Sequence, residues 1–206
     1  MAAFEDRICE YCDARVSTLG KIKAKSLGAD ALTLTALKVL VYAQLEGGIK
    51  DLSACVLRDL NNRGMTLGEI KPSILQWRNS NDIARFRSMV NFEMIAMTSP
   101  FSTALAKQLR IRGINRKREM NQMDWEGVKR VYTGFGLDYT AIESMKGKID
   151  GIVEDRNEAA HYGGLSKRLN TLLEQELREN AGVVEHVLND LSLQLLPYFT
   201  NLSHRR

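Results

Sequence analysis

Residues 31 to 60 constrain this chain more than any other stretch. Leu34, Leu37, Leu40, Val41, Leu45, Ile49, Leu52, Val56 and Leu60 recur at helical spacing, and no proline interrupts them. A run of that length and period predicts one long helix that buries a broad apolar stripe. Gly47-Gly48 lies inside it. Glycine there costs roughly 1 kcal/mol per residue against alanine, so a kink or a close backbone approach is expected. The rest of the chain is equally permissive. Its prolines stand only at 72, 100 and 197, and proline is the strongest helix breaker. β-Branched residues are scattered and rarely alternate with polar ones. Both features predict an all-α fold.

The punctuation divides the chain into further helices. The first is expected over residues 2 to 26, with Ile8, Arg15, Val16, Leu19 and Ile22 near helical spacing. Gly28 ends it and Asp30 caps the long helix. Asn61 to Gly64 reads as a turn. Thr66-Leu67-Gly68-Glu69 has the capping-box pattern and opens a short helix, with Pro72 in its second turn. A helix is expected over residues 82 to 97, then an irregular stretch over 98 to 122. Asp124 opens a helix stopped by Gly134 and Gly136. Thr140 caps another that runs to about Tyr162, before Gly163-Gly164. Ser166 opens the last, which carries Leu169, Leu172, Leu173, Leu177, Val184, Val187, Leu188, Leu191 and Leu195. An interruption or bend is expected near Gly182 and a stop at Pro197. No internal repeat or low-complexity linker appears, so residues 1 to 206 are expected to form a single domain.

A net charge of +4 suits a polyanionic partner without requiring one. The excess is local: Arg110, Arg112, Arg116, Lys117 and Arg118 crowd together. The cysteines, Cys9, Cys12 and Cys55, are odd in number and form no framework, which fits a reducing cytosol. Cys9 and Cys12 have CxxC spacing, but no second pair or nearby histidine completes a metal site. Residues 1 to 7 lack the apolar run of a secretory signal, and Val39-Leu40-Val41-Tyr42-Ala43 is too short to span a bilayer. A cytoplasmic protein without membrane partners is expected.

The helix expected over 140 to 162 carries the chemistry. Ile142, Met145, Ile149, Ile152 and Val153 form its apolar side. Asp150, Glu154, Asn157 and His161 follow at steps of four, three and four, which aligns them in a polar stripe. Arg156 lies beside that stripe. Cleavage of RNA by its own 2′-hydroxyl needs a proton carrier and a cation for the phosphorane. Histidine suits proton transfer near neutrality. Arginine grips phosphate oxygens bidentately and stays charged. Asparagine can orient either by hydrogen bonding. Such chemistry calls for no metal or other cofactor. An Arg four to six residues before a His is expected about 0.7 times by chance here, and roughly 0.1 times with a polar residue directly after the Arg. A solvated charged face is the competing explanation of the stripe.

Arg156-Asn157-Glu158-Ala159-Ala160-His161 resembles the RNxxxH signature of HEPN domains. The segment from Leu37 to Lys50, with Tyr42, Glu46, Gly47 and Lys50, resembles the aromatic-x-x-x-Glu-Gly-x-x-Lys helix of the MAE_28990/MAE_18760-like subgroup. Phe135-Gly136-Leu137-Asp138 is similar to the turn that precedes the motif helix. The resemblance implies a HEPN-like helical bundle with long antiparallel core helices. It implies a metal-independent endoribonuclease that works as a homodimer, with Arg156, Asn157 and His161 of both copies sharing one cleft. It makes Glu46 a supporting residue, a candidate to orient Arg156 or else a structural acid, and Glu154 of the polar stripe is the second supporting candidate. A toxin or antiphage effector, held silent by an antitoxin or regulatory partner, is the expected setting.

The basic cluster is a candidate RNA contact, with a solvated loop as the alternative. Trp77 and Trp125 could stack on bases, although core positions suit them better. His186 and His204 have no arginine at the right offset. The competing function is a non-catalytic HEPN-like module that binds RNA or protein.

Overall fold

The structure is a computed structural model that describes residues 3–64, 69, 71–75, 123–162 and 170–200. Its helices are α1 (Phe4–Lys25), α2 (Ala31–Asn62), α3 (Pro72–Leu75), α4 (Trp125–Phe135), α5 (Thr140–Glu143), α6 (Lys146–Tyr162) and α7 (Asn170–Leu195). No strand occurs among the described residues. The expected helix over 82 to 97, the irregular stretch with the basic cluster, and the glycine stop at 163 and 164 lie outside them.

The expected all-α class holds. At about 1.5 Å per residue, α2 is roughly 48 Å long and packs against α1, α4, α6 and α7. Leu34, Leu37, Val41, Leu45, Ile49, Leu52, Val56 and Leu60 are all buried, whereas Leu40 is exposed. Asp30 caps the helix by accepting the Thr33 N–H at 2.8 Å. Contacts across the bundle fix its directions. On α1 and α2, Arg7 pairs with Asp59 and Arg15 with Asp51, so those helices run antiparallel. Cys12 bonds the Leu188 carbonyl and Lys23 pairs with Glu185, so α1 also opposes α7.

The glycine pair leaves α2 unbroken and serves close approach instead. A Cβ on Gly48 would stand 2.6 Å from a Leu188 methyl, and one on Gly47 would stand 2.9 Å from the Arg15 guanidinium. No interruption occurs at Gly182: α7 continues through it. Buried Ala181 and Val184 on either side keep that turn packed. Leu172, expected in the core, is exposed.

Several boundaries moved. Pro72 is the first residue of α3 rather than a second-turn residue. Its lack of an N–H costs nothing there. Asp124 caps α4 through the Gly127 N–H at 2.8 Å. Gly134 is buried inside α4, and only Gly136 ends it, at a φ of 70° that glycine accepts without strain. The helix expected from 140 to 162 is two helices, parted by a turn at Ser144 and Met145. Thr140 is the first residue of α5, and Asp138 accepts its N–H and its hydroxyl, both at 2.9 Å.

Candidate active site

Helix α6 presents Ile149, Ile152 and Val153 to the core. One turn beyond Ile152, Asp155 continues that inward face. Its carboxylate accepts from Lys38 Nζ of α2 at 2.8 Å and from Asn180 Nδ2 of α7 at 3.2 Å. Lys38 also pairs with Glu176 of α7 at 3.0 Å. One lysine therefore ties three helices together. Burial pushes the Asp155 carboxyl above the ordinary range, and Lys38 works against that shift.

Arg156 follows Asp155 and so turns about 100° away from it. Its guanidinium is half-buried and lies 5.2 Å from the centre of the Tyr42 ring on α2. Its Nη1 donates to Asn157 Oδ1 at 2.8 Å. Tyr42 is almost fully buried, and its hydroxyl accepts the Met123 N–H at 3.3 Å. Burial raises the phenol's pKa, so the ring stays neutral. Among the described residues, no carboxylate lies within ion-pair distance of Arg156. His161 falls in the last turn of α6, one turn beyond Asn157 in backbone position. Its side chain lies outside the described atoms.

A model of the HEPN_MAE_28990/-like HEPN family matches residues 4–202. The chain belongs to that family. HEPN domains of this kind are typically related to ribonucleases. No curated protein and no solved structure gives a significant match.

In this HEPN chain the expected stripe divides. Asp150 accepts the Trp125 N–H at 2.9 Å and so serves the start of α4. Glu154 and Glu158 are exposed. Glu46 pairs with Lys50, one turn along α2, rather than with Arg156. Tyr42, one turn before Glu46, is the α2 residue that meets Arg156. Arg110, Arg112, Arg116, Lys117 and Arg118 lie outside the described residues, as do Trp77 and His204. Trp125 is buried, edge-on to Tyr139 at 6.1 Å, so it is a core aromatic. Cys12 and Cys55 are buried, Cys9 is exposed, and all three are free thiols.

Two residues of this cluster escaped sequence reasoning. Lys38 follows Leu37 and precedes Val41, so it is a charge set into the buried stripe of α2. Asp155 stands three residues beyond Ile152, an acid set into the buried face of α6. Two opposite charges on two apolar faces were the available signal. Tyr42 was visible as a motif position, but nothing local marked its partner.

The arrangement can hold an anion. The guanidinium lies over the tyrosine ring and spends one N–H on Asn157, and its other N–H groups can meet phosphate oxygens. Asn157 gives its oxygen to Arg156 and keeps its amide nitrogen as a second donor.

Proposed function

We propose that this HEPN chain is an endoribonuclease that cleaves RNA by attack of the 2′-hydroxyl, with the motif helices of two copies facing one cleft. The supporting observation is the Arg156 guanidinium, set over the Tyr42 ring and bonded to Asn157 at the base of the turn that carries His161. His161 takes the 2′-hydroxyl proton. The 2′-oxygen bonds to phosphorus as the bond to the 5′-oxygen breaks, and the 5′-oxygen leaves with the proton that the His161 imidazolium returns. The products are a 2′,3′-cyclic phosphate and a 5′-hydroxyl end. Arg156 and Asn157 hold the non-bridging oxygens as charge builds on them. His161 moves the protons of this transesterification and Arg156 and Asn157 meet its charge, so the mechanism calls for no metal. The setting we propose is a cytoplasmic toxin or antiphage effector, silenced by an antitoxin or regulatory partner.

The test is RNA cleavage by purified protein in EDTA. The wild type should leave 2′,3′-cyclic phosphate ends. His161→Ala and Arg156→Ala should each lower kcat by about 100-fold or more, the usual worth of a proton carrier or oxyanion donor. Intact RNA with the wild type, or normal cleavage by both variants, would sink the proposal. Sedimentation should give twice the mass of one chain.

A further inference from the structure

We infer that Tyr42 is the positioning residue of the ribonuclease site: its ring face holds the Arg156 guanidinium in place while leaving that cation's charge for the substrate phosphate. The inference rests on the ribonuclease reading above.

The contrast between two arginines of this chain carries the argument. Arg15 is fixed by a carboxylate, Asp51, at 2.5 Å, and by Gln44 at 3.2 Å. That arrangement orders the side chain but consumes its charge. Arg156 is ordered differently. Its described partners are the face of Tyr42 at 5.2 Å and the neutral oxygen of Asn157 at 2.8 Å. Neither is an anion, so neither competes with phosphate. Fixing a long arginine side chain costs rotamer entropy, and a guanidinium already held over a ring has surrendered part of it before substrate arrives. The platform itself is buried and tethered. Tyr42 is 3% exposed, and the Met123 N–H anchors its hydroxyl at 3.3 Å. Four residues earlier on the same face of α2, Lys38 holds Asp155, the neighbour of Arg156. Two successive turns of α2 thus grip two successive residues of α6. The lysine sets the rotation of the helix and the tyrosine receives the guanidinium.

Tyr42→Leu removes the ring face, and Tyr42→Phe keeps it. Leucine at 42 should lower kcat/KM for RNA cleavage in EDTA at least tenfold, and phenylalanine should restore cleavage to within about threefold of the wild type. Tyr42→Met is the second ring-less variant, for use if leucine abolishes a cooperative thermal transition. A mere packing role would reduce activity regardless of residue 156. The decisive readout is therefore a double-mutant cycle with Arg156→Lys. Lysine is a mobile point charge that gains less from the platform. The Tyr42→Leu loss should shrink at least threefold in that background. Equal losses in both backgrounds, or cleavage by Tyr42→Leu at the wild-type rate, would overturn the assignment and leave the ribonuclease reading standing. A wild type that cuts no RNA would overturn both.

Discussion

Lys38 and Asp155 are the pair on which the motif helix is registered, and their energetics depend on pH. Removing one member of such a pair strands the other. Lys38→Met is expected to destabilise the fold by roughly 3 kcal/mol, the low end for a buried pair that keeps some solvent contact. The sign of the pH dependence follows from Asp155. Its folded pKa lies above the ordinary carboxyl value because burial disfavours the charge. A raised carboxyl contributes stability that is fully present below the unfolded value and is lost as pH rises through the folded one. Without Lys38 that pKa climbs further. Urea titrations of Lys38→Met should therefore show the smallest deficit near pH 4 and a growing deficit toward pH 7. A deficit that is constant with pH would show that Asp155 is not the group left uncompensated.

At the scale of elements, the glycines separate backbone contact from propensity. Gly48→Ala forces a methyl into Leu188 and should cost about 1–3 kcal/mol. Gly182→Ala meets nothing within 4 Å and should stabilise the protein by about 0.5–1 kcal/mol. Asp124→Ala removes the cap of α4 at a cost of about 1 kcal/mol. Thermal melts of the three variants check the two signs and the ranking. The same elements show why some boundaries were legible. Asp30, Asp124 and Gly136 act through bonds made within one turn, so their residue types announce them. The stop between α5 and α6 has no such marker. Ser144 and Met145 are ordinary helix residues, and on either side of the turn Ile142 and Ile149 are both buried. Gly182 failed as a signal for the opposite reason. Packing on either side outweighed its small propensity cost.

Across the molecule, one core joins α1, α2 and α7 with the motif helix, and its thiols report on it. Burial raises the pKa of Cys12 and Cys55, whereas Cys9 is exposed. A thiol reagent should label one cysteine per native chain quickly and all three only in denaturant. Fast labelling of Cys12 in native protein would contradict the packing of α1 on α7. At this scale the site was least legible. Arg156, Asn157 and His161 are close in sequence and could be found as a pattern. Tyr42 and Lys38 meet that pattern only through the fold, and no periodicity reveals which turn of α2 faces which turn of α6. The grip of Lys38 on Asp155 also limits what the chain can become. Deleting a single residue between Ile152 and Asp155 would carry Arg156 into the place of Asp155, opposite Lys38, and two cations would meet where an ion pair now stands. This segment can exchange its residues, but it cannot change its length.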